Sequence, residues 1–343
     1  MIEKNPMVSV IMPVYRCEKY IKESIESILN QTFKDFELII VSDDSTYEMR
    51  SILDIFQQSD SRIIVVHQDR KGYFFSRNQC CAMARGIYVA VMDCDDISHS
   101  GRLEDQVHFL EVHPDIGAVG SWYKIIDESG NVNGKRQPST LPSVVRWTLL
   151  FGNTLGHGTI MMRRKILEDV GFYKSGDIGF CEDYDLWNRF LKHANIANIP
   201  KFLLKYRVRN ESITKKQESQ LYSNAIEISR SQISELLKQP VEYGYAKKLY
   251  TMKNIETISD VEYLIKLLEG MRSLFFHTYA CSSVEKKLIN KDTSVRMAYI
   301  CLASARSTRF RSLLFFKSGI ILNPLLVFYL PINVISRIMI NLG

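Results

Sequence analysis

GIYVAVMDCDD, residues 86–96, is an apolar β-rich run that ends in three carboxylates, Asp93, Asp95 and Asp96, with Cys94 between the first two. The run reads as a strand whose carboxyl end carries the acids. Like charges repel, and the end of a buried strand is a costly place to gather them. Either the acids form a solvated turn, or they are grouped to share a cation. Magnesium typically takes one or two protein carboxylates and fills the rest of its shell with water and phosphate oxygens, and Mn²⁺ has the same taste for oxygen. An isolated D-x-D is more often a turn. Its neighbours in the sequence tip the balance here.

Working outward from that strand, MVSVIMPVY (7–15) is a strand stopped by Pro13, and Glu18 to Gln31 places Tyr20, Ile21, Ile25, Ile28 and Leu29 at helical spacing. FELIIVSDDS (36–45) is a second strand. A helix follows over Met49 to Gln58, then the strand RIIVVHQ (62–68) and a helix over Phe75 to Ala84. Strands alternating with helices predict an α/β fold with a mostly parallel sheet and right-handed crossovers. Ligands of such sheets gather outside the carboxyl ends of the strands. Three strands end in groups suited to that place: Pro13-Val14-Tyr15, Ser42-Asp43-Asp44-Ser45 and Asp93-Cys94-Asp95-Asp96. Asp43 and Asp44 read either as turn residues that cap the next helix or, for Asp43, as a hydrogen bond to a nucleobase or ribose. Pro13 and Tyr15 either end a strand and fill core, or the Tyr15 ring lies on a base.

Farther on, GAVGSWYKIIDESGNVNG (117–134) predicts a strand pair with a Gly/Asn-rich turn. HGTIMMRRKILEDVGFY (157–173) predicts a strand and a short helix. CEDYDLWNRFLKHA (181–194) predicts a helix with acids in its first turn, where the helix dipole favours them. Taken singly, Glu182-Asp183 is such a dipole-matched pair, His157 a structural histidine, and Arg77-Asn78 a surface arginine beside a structural asparagine. After YRVRNESIT (206–214) the chain reads as helical segments.

The 343 residues, 46% hydrophobic and 24% charged, suffice for a sizeable core and suggest two units, or one large domain with an appendage. The opening MIEKNPMVSV lacks the charged head and apolar middle of a secretion signal. Seven cysteines form no C-x-x-C pair, and an odd number argues for reduced thiols in the cytosol rather than a disulfide framework. The net charge of +6 is concentrated from Lys286 onward, where nine Lys/Arg meet one acid, Asp292. No basic face spread along the chain predicts a nucleic-acid partner.

MVSVIMPVY, SILNQTFKDFELIIVSDDST, RNQCCAMARGIYVAVMDCDDI and CEDYDLWNRF together resemble a family 2 glycosyltransferase, over roughly residues 7–214. The resemblance implies a GT-A fold, a Rossmann-like, mostly parallel sheet flanked by helices, and an inverting transfer of sugar from a nucleotide donor. It implies that Pro13, Tyr15 and Asp43 line the nucleotide pocket, that Arg77 sits near the nucleotide and that Asn78 holds the loop. Asp93 would face the ribose or metal side, and Asp95 would be the principal ligand of Mg²⁺ or Mn²⁺. Asp183 would be the catalytic base, with Glu182 beside the acceptor and His157 on the acceptor side. Three positions depart from the family pattern: Ser42 stands for an acid or Asn, Asp44 for a glycine, and Cys80 for a glycine after the Arg-Asn pair.

The expected organisation is a catalytic domain over 1–214, a helical extension over 215–305 and a basic, apolar tail over 306–343. In the tail, RSTRFRSLLFFK (306–317) precedes SGIILNPLLVFYLPINVI (318–335), which has no charge but two prolines and two asparagines. A spanning helix needs about 20 apolar residues, so attachment to the inner face of the cell membrane is the expectation. Together with the family resemblance, that placement implies a lipid-linked glycan acceptor in surface-polysaccharide synthesis; no motif encodes the donor, and a UDP-sugar is the first expectation. The alternatives are a protein or soluble glycan acceptor, or a nucleotidyltransferase. The last should carry a Gly- and Lys/Arg-rich triphosphate loop after the first strand, and PVYRCEKY has no glycine.

Overall fold

The computed structural model describes residues 5–174, 181–209 and 218–305. They divide into two compact units, Met1–Val145 with Thr154–Asn224, and Arg146–Asn153 with Ala225–Gly343.

The first unit is built on one sheet. β1 (Val8–Val14) is buried along its whole length, as a central parallel strand must be. α1 (Ile21–Leu29) buries Ile21, Ile25 and Ile28, the three-and-four spacing read from the sequence. β2 (Phe36–Asp43), α2 (Tyr47–Ser59), β3 (Ile63–Gln68), α3 (Tyr73–Met83) and β4 (Tyr88–Val91) complete the alternation. β1 pairs in parallel with β2 and β4, and β2 with β3. The strand expected over 86–96 therefore stops at Val91, and the acids lie in the loop beyond it. The final β1–β4 pair is Ile11 with Val91, so Pro13 sits past that pairing, where a missing N–H costs least.

The chain then adds β5 (Ile97–Ser98), α4 (Arg102–Val112), β6 (Ile116–Ile126), β7 (Val132–Arg136), α5 (Pro142–Leu149), β8 (Met161–Arg163), α6 (Arg164–Asp169), α7 (Glu182–Phe190) and β9 (Asn195–Arg207). The sheet order is β3-β2-β1-β4-β8-β6-β9-β5, with β7 on β6. β8 runs antiparallel between β4 and β6, while β9 returns parallel to β6. The β6–β7 turn is the expected one: Asp127 Oδ1 accepts from the amides of Ser129 and Asn131, and Gly130 takes φ 89°.

The second unit is helical: α8 (Glu218–Leu237, whose first residues belong to the first unit), α9 (Tyr243–Thr251), α10 (Ile258–Thr278) and α11 (Ser283–Ala305). α10 starts at a Thr257/Asp260 capping box and buries Val261, Leu264, Leu268, Met271 and Phe275 along one stripe. Residues 146–153 group with these helices through Trp147, fully buried against Phe151 and Phe275, with Nε1 donating to Asp292 Oδ2 at 2.8 Å. Among the described residues no helix is long and apolar enough to cross a membrane. The tail at 306–343, with its expected membrane attachment, lies outside the described residues, as do residues 210–214 of the YRVRNESIT segment.

Candidate active site

A cleft of about 510 Å³ opens in the first unit. Pro13, Tyr15, Arg77, Asp93, Asp95, His157, Glu182 and Asp183 all line it, so residues spread over 170 positions meet at one place. The sheet order explains the meeting: β1 and β4 deliver Pro13, Tyr15 and the acidic loop, and β8 beside them carries the turn that starts at His157.

Asp43 does not line the cleft. It is buried, and its carboxylate accepts from Gln68 Nε2 (2.9 Å) and from the amides of Lys71 (2.8 Å) and Gly72 (2.9 Å), shaping the turn into α3. Both family departures around it have a local account. Asp44 adopts φ 51°, the left-handed region in which glycine is at ease and Asp is among the better-tolerated substitutes. Ser42, fully buried, bonds Ser45 across the same turn. Cys80, in the third place, packs against β2 with its thiol on the Ile39 carbonyl, and burial pushes that thiol up to about 12.

Arg77 is not a surface residue. Its side chain is 2% exposed, Nη1 donates to Glu182 Oε1 at 2.9 Å, and Nη2 stands 3.6 Å from Asp93 Oδ1. The guanidinium lies over the rings of Tyr73 (4.1 Å) and Tyr173 (5.0 Å). Burial opposes its charge, but Tyr173, Glu182, Asp93 and Asp183 outweigh burial and hold the pKa above the ordinary arginine value. Arg77 thus ties the start of α7 to the acidic loop. Asn78 holds a loop as expected: it donates to the Tyr173 carbonyl (2.7 Å) and accepts from the Tyr173 amide (3.1 Å). The Tyr173 hydroxyl meets His157 Nε2 at 2.9 Å. Burial first, then Arg77 and Arg102, push the His157 pKa well below its usual value, so its ring is neutral at pH 7.

The three carboxylates are not alike. Asp93 is partly open to the cleft and takes a bond from the Tyr73 hydroxyl at 3.3 Å. Asp95 Oδ2 pairs with Arg209 Nε at 2.7 Å. Burial raises the Asp95 pKa, Arg209 pulls it back, and Asp93 adds to the rise. Asp96 is sealed from solvent; its Oδ1 accepts from the Arg207 amide (2.8 Å), while Oδ2 has no hydrogen-bond partner. Burial, then Asp93 and Asp95, push its pKa well up. Gly158 keeps this corner open: a Cβ there would stand 3.0 Å from Asp96 Oδ2 and 3.2 Å from Asp93 Oδ2.

The crowding is therefore relieved in part by the protein itself. Arg77 faces Asp93 and Arg209 holds Asp95, while Arg207 supports the loop through its amide and through Nε on the Asp95 carbonyl at 2.8 Å. Arg102, fully buried and lowered to about 10 chiefly by burial, lends Asp96 a further positive charge. Arg207, Arg209 and Tyr173 were not singled out by the sequence reading. No local pattern marks them, because Arg207 and Arg209 reach the acids across more than a hundred residues of chain. Only the pairing of β9 with β6 and β5 brings them there.

The donor set suits a hard cation. Asp93 and Asp95 both face the cleft, whereas Asp96 is sealed, and among the described residues no group of three His, Cys, Asp or Glu is placed to hold a metal. Two carboxylates, with water and phosphate oxygens supplying the rest, are what Mg²⁺ or Mn²⁺ commonly takes from a protein.

Comparison with known proteins agrees with the geometry. Residues 9–171 match the family described as Glycosyl transferase family 2. The chain is 38% identical over 253 residues to a putative glycosyltransferase, EpsE, of Bacillus subtilis, covering 72% of this chain and 89% of the relative. It is 32% identical over 219 residues to WfgD of Escherichia coli, a UDP-Glc:alpha-D-GlcNAc-diphosphoundecaprenol beta-1,3-glucosyltransferase, covering 63% and 82%. Among solved structures, S. aureus TarS 1–349 in complex with UDP-GlcNAc superposes with a TM-score of 0.55 at 19% identity, covering 90% of this chain and 86% of that one. The mannosyltransferase PcManGT of Pyrobaculum calidifontis, with GDP-Man and Mn²⁺, gives 0.52 at 15% identity, covering 90% and 89%. The fold is GT-A, as the resemblance implied. With its motifs, its cleft and its relatives in agreement, the chain belongs to glycosyl transferase family 2 and is an enzyme, a glycosyltransferase.

Proposed function

We propose that the protein is an inverting glycosyltransferase that moves a sugar from a nucleotide-sugar donor, a UDP-sugar, to a hydroxyl of a lipid-linked glycan in surface-polysaccharide synthesis. The observation that carries the reading is the convergence of Asp93, Asp95, Glu182, Asp183 and His157 on one cleft of a family 2 chain. UDP-GlcNAc in TarS and the UDP-Glc donor and diphosphoundecaprenol acceptor in the name of WfgD support the choice of donor and acceptor.

In this reading Pro13 and Tyr15 form the wall against the nucleoside, and Asp43 acts at the base end through the Lys71–Gly72 turn that it holds. Asp93 and Asp95 would hold Mg²⁺ or Mn²⁺, which when bound neutralises charge on the leaving diphosphate; the Mn²⁺ in PcManGT supports this. Asp183, at the first turn of α7, takes the proton of the acceptor hydroxyl as it attacks the anomeric carbon from the face opposite the diphosphate. Glu182, locked onto Arg77, fixes where α7 begins and so where Asp183 points. His157, neutral and bonded to Tyr173, offers the acceptor side a hydrogen-bonding ring without charge.

The test is Asp183→Asn assayed with a UDP-sugar and a lipid-linked acceptor. Donor binding, followed by thermal stabilisation, should persist while transfer falls about 10²- to 10⁴-fold. Near wild-type transfer would remove Asp183 as the base, and retained anomeric configuration in the product would remove the single displacement.

A further inference from the structure

Arg209 is two residues beyond the end of β9, and Arg207 is the last residue of that strand. Extended backbone puts alternate residues on one side, and both arginines address the same loop. Arg207 works on its main chain, through Nε on the Asp95 carbonyl, and on Asp96 through its amide. Arg209 works on the carboxylate itself: Nε reaches Asp95 Oδ2 at 2.7 Å, while Nη1 donates to the Arg16 carbonyl at 3.2 Å, just past β1. The Arg209 side chain is 28% exposed, and Arg209 lines the cleft beside the carboxylate it holds. It therefore uses an oxygen of one of the two carboxylates that face the cleft.

We propose that Arg209 is the resident counter-cation of Asp95, holding that carboxylate in competition with a divalent cation. The proposal rests on the reading of Asp93 and Asp95 as the cation's protein ligands. A guanidinium and a metal ion of like charge cannot both sit on one carboxylate without strong repulsion. Cation binding at Asp95 therefore works against the Arg209 contact, which already occupies Oδ2. Freed from Asp95 and still on the cleft wall, the planar donor fork suits phosphate oxygens. The arginine thus exchanges a carboxylate for a diphosphate, and metal and donor binding favour one another. Without donor, Arg209 keeps the metal affinity low.

The experiment titrates Mn²⁺ into the full chain without donor and follows the electron paramagnetic resonance signal of free aqueous Mn²⁺. Wild type is compared with Arg209→Ala, with Arg209→Gln (which keeps the side chain's length and removes the charge) and with Asp95→Asn. A hydrogen bond to a charged group predicts that Arg209→Ala and Arg209→Gln bind Mn²⁺ about ten- to a hundredfold tighter than wild type, and that Asp95→Asn binds more weakly. Equal affinity in wild type and both Arg209 variants would overturn the competition and leave the two-carboxylate site standing. No Mn²⁺ binding by any of the proteins, with or without UDP, would remove the metal site and the proposal with it.

Discussion

Replacing Arg77 with methionine removes the charge of a side chain that is 2% exposed and leaves Glu182, whose side chain is 9% exposed, without its 2.9 Å partner. Breaking a buried ion pair from one side costs about 3–5 kcal/mol, because the remaining charge has lost both water and partner. Asp93 loses its 3.6 Å neighbour as well, and Tyr73 and Tyr173 lose the cation between their rings. For a unit of this size each kcal/mol corresponds to about 2–4 °C in Tm, so the variant should melt about 6–20 °C lower. The double variant Arg77→Met/Glu182→Gln removes the stranded charge, and a thermodynamic cycle should show a coupling of about 1–3 kcal/mol. Thermal and urea unfolding at neutral pH, read by circular dichroism, measure both quantities. A single variant melting within about 2 °C of wild type, or strictly additive losses, would refute the view that Arg77 couples α7 to the acidic loop.

Two further expectations concern the loops. At Asp44, φ 51° favours residues that tolerate the left-handed region, so Asp44→Gly should stay within about 1 kcal/mol of wild type, while Asp44→Val loses more than that. A valine variant that melts with the glycine one would count against backbone strain there. The Asp96 carboxyl is pushed well above its ordinary 3.8, mainly by burial. The folded state then holds that proton more tightly than the unfolded state does. The resulting stability is fully present below about pH 3.8 and is lost as pH rises through the folded pKa. The stability of wild type relative to Asp96→Asn should therefore fall as pH is raised from about 4 toward neutrality, read from urea midpoints. A gap that does not change with pH would show that Asp96 does not carry a raised pKa.

Much of the fold is legible in the chain because its signals are local. The first four strands and the helices between them announce themselves as local runs, and β1 and β4 end in residues that line the cleft. The sequence reading placed Asp93, Asp95, Glu182, Asp183 and His157 as candidates, and all five line that cleft. It leaves α4, α5 and β9 unassigned, although α4 buries Leu103, Gln106, Val107 and Leu110 at helical spacing. Taken by itself, Arg77-Asn78 reads as a surface arginine beside a structural asparagine, since nothing near Arg77 in the sequence announces Glu182, which lies more than a hundred residues downstream.

The sequence by itself determined the α/β alternation, the carboxylates at the end of β4 and the acidic start of α7, because period, turn chemistry and helix dipole act over a few residues. Tertiary structure alone decided which arginine meets which acid, that Asp43 turns inward to hold a loop, and that Asp96 is sealed while Asp93 and Asp95 face the cleft. The physical reason is range: hydrogen bonds and burial act over a few ångströms of space, and only the pairing of β8, β6 and β9 with the first four strands brings those distant residues within reach.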